Sequence, residues 1–330
     1  MDQSTTPTGV FLRAVREGIV WIDRSARVRL SITGPDRGNL LQNLTTQDVL
    51  HIPIGQGAEA FVTSPQGKTI GFLTVLVDAE SIVARADEGA LEFLTPHFQK
   101  YGLFDDARVE DLSPATFEIH LSGPRADEFV EKIAESQPDK SEYSHVLTSI
   151  FGVSVRVVRE SPDGLPGFAL IGALEEQGGF LSRFQDAIAE FGGSPLTPER
   201  FEALRIEAGT PVFGKDVSPA NLPQEIGRDE RTLNFRKGCY LGQETVARLD
   251  SLGHVNKILK KGHVEGSSAV PPIGAAIETS GQVVGTIASS AFSERLDAAV
   301  FLAFVKTTAS FETAEFSIAL GDQRAKAAFD

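Results

Sequence analysis

Thiols and clustered metal ligands are scarce in this sequence. Its 330 residues include one cysteine, one methionine and one tryptophan. A single cysteine excludes an internal disulfide and every metal site that is built from several thiolates. The six histidines do not show the spacing of metal ligands and are scattered at positions 51, 97, 120, 145, 254 and 263. We therefore predict no bound metal.

Long hydrophobic runs are also absent. No uninterrupted apolar stretch approaches the roughly 20 residues that a helix needs to cross a bilayer. The first residues lack the basic start and the apolar stretch of a secretory signal. We therefore expect a cytoplasmic protein that is not inserted in a membrane.

Positive charge is in deficit, with 31 Lys and Arg against 45 Asp and Glu, a formal net charge of −14. This balance argues against general binding to nucleic acid or to anionic membranes, because both are polyanions. Residues 228–261 are an exception, with eight basic residues against four acidic ones, and they contain the cysteine. A locally basic segment suits a small anionic ligand, and a solvated surface of mixed charge is the alternative.

A strand pattern, a Gly-Pro turn and a helical pattern follow one another twice along the chain. The first copy covers residues 27–44 and the second covers residues 117–134. Proline after glycine suits the first turn of the helix in each copy. We therefore predict an α+β region at residues 10–255, made of two related halves at residues 10–112 and 113–255.

The pattern changes after residue 256, where short alternating runs are separated by clusters of Gly, Pro and Ser. The runs cover residues 258–264, 282–289, 298–304 and 314–319. Alternation of this kind is typical of antiparallel strands. We predict a small C-terminal β domain at residues 256–330, as a barrel or a sandwich.

The cysteine lies in the segment KGCYLGQE, residues 237–244. We expect residues 234–235 to end a strand and a helix to begin after Gly242, which places Cys239 just before a helix N-terminus. A helix N-terminus and the basic neighbours Arg236 and Lys237 both stabilise a thiolate. Cys239 is therefore a candidate nucleophile, redox partner or ligand, although a lone cysteine can equally be a small buried hydrophobe.

This octapeptide, followed by Ala247 and Arg248, resembles the signature of the YgfZ family. That family belongs to the superfamily of the glycine-cleavage T-protein, an aminomethyltransferase. Further segments resemble the superfamily in the same order, at residues 31–34, 41–49, 65–68, 204–211 and 222–225. The resemblance extends from about residue 25 to residue 255.

The resemblance implies a folate-binding N-terminal region of ferredoxin-like α+β pieces and a small C-terminal antiparallel β-barrel. It also implies tetrahydrofolate as the ligand of a central cavity. The local excess of basic residues adds the hypothesis that the basic segment attracts the carboxylates of a polyglutamyl folate. Glu207 matches an acid that hydrogen-bonds the pterin ring, because a carboxylate can accept two N–H donors side by side. Arg205 lies in the same stretch, and Phe201 matches an aromatic residue that stacks on the ligand, with plain core packing as the alternative.

The resemblance also implies roles for the residues of the cysteine loop. Cys239 would be the working thiol, and Lys237 would favour its thiolate form. Tyr240, Gln243 and Glu244 would shape the loop beside the folate cavity.

Two positions depart from the superfamily. Where the T-protein carries paired aspartates, this chain has Gly71 and Phe72, and neither can accept a proton. An aminomethyltransferase of the T-protein type is therefore not expected. Arg27 occupies a position where some members have a tryptophan near the folate, so it is a weaker candidate for a folate contact.

The predicted function is that of a tetrahydrofolate-binding accessory protein in iron–sulfur cluster assembly or repair. Its protein partners would be iron–sulfur enzymes, such as those of tRNA modification, or assembly factors. The alternative is a folate-dependent one-carbon transferase that uses another residue as acid or base. A third hypothesis is a folate sensor or scaffold without chemistry, in which the cysteine is structural.

Overall fold

The computed structural model describes residues 6–311, 314–320 and 323–330. None of the helices in these described residues is long and apolar enough to cross a membrane. They are α1 (Thr8–Glu17), α2 (Arg37–Leu44), α3 (Leu91–Tyr101), α4 (Ala126–Ile133), α5 (Gln177–Ala189), α6 (Pro198–Ala208), α7 (Asp229–Thr232) and α8 (Gln243–Leu252).

The strands form two open sheets and one closed barrel. In chain order they are β1 (Val20–Asp23), β2 (Val28–Thr33), β3 (Gln56–Thr63), β4 (Thr69–Val77), β5 (Ser81–Ala86), β6 (Arg108–Asp111), β7 (Thr116–Ser122), β8 (His145–Ile150), β9 (Val153–Arg159), β10 (Gly167–Ala173), β11 (Ser194–Pro195), β12 (Lys257–Val264), β13 (Ala276–Thr279), β14 (Gln282–Ser293), β15 (Ala298–Lys306), β16 (Phe316–Leu320) and β17 (Gln323–Phe329).

The five-stranded sheet has the order β3-β4-β5-β2-β6, and every neighbouring pair is antiparallel. The helices α2 and α3 pack on one face through buried residues such as Leu41, Leu94 and Phe98. Strands β3 and β4 form a hairpin, because β3 ends at Thr63 and the antiparallel β4 begins at Thr69.

The six-stranded sheet has the order β11-β1-β7-β10-β9-β8 and carries α4 and α5 on one face. Its core is rich in phenylalanine, including Phe129, Phe168 and Phe184. Strand β1 precedes β2 in the chain, yet it pairs with β7 and β11 in this sheet. The strands from β2 to β6 therefore form one sheet, and the strands from β7 to β11 form the other together with β1.

The two sheets are in contact through the faces that do not carry these helices. Part of the contact is apolar, where Leu76 and Val83 meet Val158 and Ala169. The rest is charged, because Arg85 of β5 reaches across to Glu118 of β7. A polar layer thus lies in the middle of the N-terminal region.

The C-terminal strands close into the barrel β12-β15-β14-β13-β16-β17, with antiparallel pairing throughout. Its interior is filled by apolar side chains that include Ile277, Phe301 and Phe316. The predicted fold class, an α+β region followed by a small antiparallel barrel, is confirmed.

The strand predicted to end at residues 234–235 is wrong. Helix α7 ends at Thr232, and an irregular segment follows up to α8. The backbone there pairs with the chain just after α2, since the Asn234 N–H donates to the Thr46 carbonyl over 2.9 Å. These peptide groups are satisfied without a sheet partner.

Candidate ligand cavity and cysteine loop

A cavity of about 480 Å³ lies beside the contact between the two sheets. Four acidic side chains line it, namely Glu59, Asp87, Glu142 and Glu160. Aromatic rings are supplied by Phe72, Tyr143 and Phe201. Seven basic side chains exceed the four acids, and they are Arg24, Arg27, Lys140, Arg159, Arg205, Arg228 and Arg231.

Several of these charges are neutralised within the wall. The Glu59 carboxylate accepts from the Nε atom of Arg228 over 2.9 Å and from the Tyr143 hydroxyl over 2.6 Å, and the Arg231 Nε lies 3.1 Å away. Arg205 is similarly held, because its Nη1 donates to Asp216 over 2.7 Å. These side chains shape the cavity and have little remaining capacity for a ligand.

An intersheet charge cluster of Arg85, Glu118 and Glu160 forms the layer behind the wall. The Arg85 guanidinium is fully buried and donates over 2.7 Å to each of the two carboxylates. Burial alone would raise the pKa of Glu118, but Arg85 and Arg27 outweigh burial and lower that pKa to about 2. The Glu160 pKa is held well below its ordinary value in the same way, against the effect of burial, chiefly by Arg85. Both acids are therefore ionised.

His120 extends this layer. Its ring nitrogens lie 3.5 Å from Glu160 and 3.5 Å from Asp163, and Ser122 donates its hydroxyl proton to Asp163. Burial by itself lowers the pKa of His120, but Asp163 and Glu160 outweigh it and the net shift is upward.

The sequence analysis did not single out this polar layer. Strand β7 alternates apolar Phe117, Ile119 and Leu121 with polar Glu118, His120 and Ser122, and such alternation is typical of a strand with one face in solvent. In the structure both faces are buried. The alternation was a usable signal, but only the packing of the second sheet shows what the polar face contacts.

Three of the predicted ligand-binding residues lie at the cavity: Arg27, Phe201 and Arg205. The Arg27 Nη1 donates to Glu118 over 3.2 Å. The Phe201 ring lies under the guanidinium of Arg24, with 4.7 Å between the guanidinium carbon and the ring centroid. Phe201 is therefore more than a core residue, since its ring orients a charged group of the wall.

Glu207 is not among the residues that line this cavity. Its carboxylate accepts from the Nε of Arg295 over 2.6 Å and from the Ser293 hydroxyl, both in or next to the barrel. On α6 the residues 201, 205 and 208 share one face toward the cavity, whereas Glu207 lies on the face that packs against β14. The structure therefore gives Glu207 a contact between α6 and the barrel.

Lys237 anchors the cysteine loop to α2. Its ammonium donates to the carbonyl oxygens of Gln42, Thr45 and Gln47 over 2.6, 2.6 and 2.8 Å. These carbonyls lie at or just after the C-terminus of α2, where a cation is favoured. Burial lowers the pKa of Lys237 to about 8, although Asp48 acts in the opposite direction. The three donors of the ammonium are therefore used by the backbone.

The rest of the loop packs on the β3–β4 hairpin. The Leu241 carbonyl accepts from the Thr63 hydroxyl, and Gln243 accepts the Tyr240 N–H over 3.1 Å. Burial raises the pKa of Tyr240 to about 12. Cys239 and Glu244 are exposed.

The predicted site residues thus fall into two places. None of Lys237, Cys239, Tyr240, Gln243 and Glu244 is among the residues that line the cavity. Among the described residues, no group of three or more His, Cys, Asp or Glu side chains could hold a metal ion.

The two positions that depart from the T-protein pattern lie on β4. The Phe72 ring lines the cavity, whereas Gly71 faces Leu94, where an added Cβ would lie 2.7 Å from a methyl carbon. Strand alternation explains this difference. Phe72 is the one of the pair that reaches the cavity, and it has no proton-accepting group.

Two protein-family models match this chain, one over the N-terminal region and one over the barrel. The family model described as GCVT N-terminal domain matches residues 10–235. The chain belongs to the GCVT N-terminal domain family. The model described as glycine cleavage T-protein C-terminal barrel domain matches residues 263–329, which contain most of the closed barrel.

The curated relatives of this GCVT-domain chain are moderately similar. A chloroplastic protein of Arabidopsis thaliana, whose name proposes that it is a transferase, is 27% identical over 84% of this chain, and the chain spans 63% of its length. The aminomethyltransferase of Thermoanaerobacter sp. is 24% identical over 88% of this chain and 79% of its own length. That of Symbiobacterium thermophilum is 24% identical over 96% of this chain and 86% of its own.

A solved structure shares the fold. The glycine cleavage system aminomethyltransferase T from Bartonella henselae superposes with a TM-score of 0.82 at 16% identity. The match covers 98% of this chain and 89% of the other. The GCVT N-terminal domain and the barrel therefore have the same arrangement in both proteins.

Proposed function

We propose that this protein binds tetrahydrofolate in the cavity between its two sheets and serves iron–sulfur cluster assembly or repair in the cytoplasm. The cavity is the observation that carries the proposal. Its volume of about 480 Å³ falls within the roughly 300–1,000 Å³ of small-molecule sites. Relatives named as aminomethyltransferases of the same family support a folate ligand.

The residues present fit such a ligand. The rings of Phe72 and Phe201 offer flat apolar surface to a pterin, and the excess of basic side chains suits the carboxylates of a glutamyl tail. When bound, tetrahydrofolate supplies a carrier for one-carbon units. The side chains of the cavity would bind and orient it and would exclude water from it.

Two observations favour an accessory role. The cavity wall has Phe72 where the T-protein has an acid, so a proton acceptor is missing at that position. Cys239 is exposed on a loop that is anchored at both ends, which makes it accessible to another protein. One thiolate is too few for a cluster with four ligands, so Cys239 would share a cluster transiently with a partner.

The proposal is tested in a bacterium that lacks its own YgfZ-type protein, with a tRNA-thiolating iron–sulfur enzyme as the reporter. Wild type, Cys239→Ala and the control Ser268→Ala, another exposed loop residue, are compared at matched protein levels. Rescue by wild type and the control, with loss of rescue in Cys239→Ala, is the expected result.

Other outcomes are equally informative. If well-folded wild type fails to rescue, the cluster role is wrong. If Cys239→Ala rescues fully while it still binds tetrahydrofolate, the thiol has no role and a folate sensor or scaffold is favoured.

The relatives' names also support a second candidate, a folate-dependent one-carbon transferase with another acid or base. Asp87 is a carboxylate that lines the cavity and is available for such a role. Formation of methylenetetrahydrofolate from an amine donor by the purified protein would establish this function. Its absence over a range of donors would exclude it for those donors.

Binding of a polyglutamyl tail belongs to the same proposal. Exposed Lys140 lines the cavity and forms no ion pair within the described part of the chain, so its charge is available to a carboxylate of the tail. We expect the affinity to rise with the number of glutamates and to fall with salt. An affinity that is insensitive to both would contradict this part of the proposal.

A further inference from the structure

Among the four acids that line the cavity, Asp87 alone has no basic side chain of the described residues within hydrogen-bond distance. Glu59 is held by Arg228 and Tyr143, as described above, and Glu160 is held by Arg85. Glu142 pairs with Arg231 over 2.6 Å and is 40% exposed. Asp87 remains.

Asp87 is fixed through one oxygen and open at the other. Its Oδ2 accepts the backbone N–H of Phe213 over 2.9 Å. Its Oδ1 lies 3.9 Å from the Nη2 of Arg24 and 3.9 Å from the Nε of Arg27. These distances allow electrostatic attraction but exceed a hydrogen bond, so Oδ1 accepts none from the described residues.

The two arginines likewise have hydrogen-bond donors without partners. The Arg24 side chain donates no hydrogen bond within the described part of the chain, although only 13% of it is exposed. The Arg27 Nε is buried and has no hydrogen-bond partner among the described residues. Unpaired buried donors such as the Arg27 Nε are rare in folded proteins and call for an explanation, which a ligand of the adjoining cavity would supply.

We propose that Asp87, Arg24 and Arg27 form a subsite for the 2-amino-4-oxo edge of a pterin. The identity of the ligand rests on the proposed function. The open Asp87 oxygen accepts the neighbouring N–H donors of that edge, and the arginines donate to its carbonyl oxygen. Phe201, under Arg24, supports the plane in which the guanidinium lies.

Charge favours this neutral edge over an anionic group. A carboxylate or phosphate placed between the arginines would also face the Asp87 charge at close range, which is unfavourable in a poorly solvated cavity. An edge with adjacent N–H donors and a carbonyl acceptor can bond to the Asp87 carboxylate and to the arginines at the same time. The subsite therefore recognises a mixed donor–acceptor heterocycle, while the glutamyl carboxylates of the ligand lie elsewhere.

The test measures the affinity of the full chain for two anaerobic ligands, tetrahydrofolate and its 4-amino counterpart tetrahydroaminopterin. They differ at the proposed contact, because the 4-amino form replaces the carbonyl acceptor by a donor and removes the N3 proton. Wild type should prefer tetrahydrofolate by at least about 10-fold. Asp87→Asn should lower the affinity for tetrahydrofolate by about 10- to 100-fold, since a hydrogen bond to a charged group is lost.

Asp186→Asn is the matched control, an exposed acid of α5 that does not line the cavity, and it should bind as wild type does. Arg24→Gln supplies a second readout, the ratio of the two affinities, which should fall toward one. Partial unfolding of a variant lowers both apparent affinities by the same factor, so their ratio remains interpretable.

The outcomes separate the two proposals. If wild type binds tetrahydrofolate and Asp87→Asn binds it equally well, the subsite is wrong and the proposed function stands. If Arg24→Gln keeps the wild-type ratio, the arginine contact is wrong. If wild type binds no tetrahydrofolate, the proposed function is wrong and the pterin subsite fails with it.

Discussion

Residue type alone does not determine the role of the charged residues in this protein; their contacts do. Glu207 and Asp87 are both carboxylates near the centre of the molecule, yet one bonds to the barrel and the other is open toward the cavity. Lys237 is next but one to the only cysteine in sequence, but its ammonium caps a helix. The sequence neighbourhood of a side chain is thus a poor guide to its partner.

Asp229 illustrates how burial without a partner affects stability. Burial, with a smaller contribution from Asp250, raises the pKa of Asp229 to about 6. The folded state therefore binds more protons than the unfolded state between about pH 4 and pH 6, where 3.8 is the ordinary value. The contribution of Asp229 to stability is present in full below this window and is lost as the pH rises through it.

We expect Asp229→Asn to stabilise the protein near pH 8 by about 1 kcal/mol, a value reduced for the partial exposure of the group. Near pH 4 the variant and wild type should be equally stable. Urea titrations at the two pH values measure this difference, and Glu230→Gln, its exposed neighbour, is the control. An equal effect at both pH values would contradict the assignment to the Asp229 charge.

At the scale of elements, the cysteine loop and the β3–β4 hairpin are joined by glycines in close contact. Gly242 has φ +84, and an added Cβ would lie 2.3 Å from the Ser64 carbonyl oxygen. Gly67, in the hairpin turn, faces Gly242 and Thr245 at similarly short range. The glycines that flank Cys239 therefore differ, because Gly238 has open space around its Cα.

Gly242→Ala should separate the loop from the hairpin and destabilise the protein by about 2 kcal/mol or more, through both overpacking and an unfavourable backbone conformation. Hydrogen exchange of the amides in residues 237–244 should become faster. Gly238→Ala is the matched control and should leave exchange unchanged. If the two variants behaved alike, the glycine contact would not be what holds the loop.

At the scale of the whole molecule, the two sheets are held together by the intersheet charge cluster as well as by apolar contact. Arg85 is fully buried between Glu118 and Glu160. An ion pair of this kind gives modest net stability when complete, but removal of one partner leaves uncompensated buried charges.

Arg85→Met should therefore destabilise the protein by about 3–5 kcal/mol. The fluorescence of Trp21, the only tryptophan and a residue of β1, reports unfolding of the six-stranded sheet. Arg108→Met removes an exposed pair with Glu110 and should change stability by about 1 kcal/mol or less. A small effect of Arg85→Met would show that the carboxylates find other partners.

Much of the fold follows from local sequence signals. Helix α6 is an example, since Thr197 caps it at its N-terminus and Gly209 ends it in a left-handed conformation. The short strands β1 and β5 were not predicted. Strand β1 has four residues, and β5 buries five successive residues, so neither shows a clear alternation.

The candidate site was only partly predictable. The segment KGCYLGQE and the alternating strands of the barrel could be recognised in the sequence, because turn residues and alternation are local properties. The cavity could not, since it is lined by residues as distant in sequence as Arg24 and Arg231. Arg24, Asp87 and Glu160 carry no local pattern that distinguishes them from surface charges.

Sequence patterns alone predicted the change to a barrel after residue 256 and the resemblance to the superfamily of the T-protein, whose N-terminal and barrel domain models match the chain. These depend on periodicity and on motifs that each occupy a few neighbouring residues. The pairing of β1 with the other sheet, the face of α6 that lines the cavity and the burial of particular charges became clear from the three-dimensional structure. Those outcomes depend on contacts between distant segments, where the burial of a charge and the position of its partner determine what it can do.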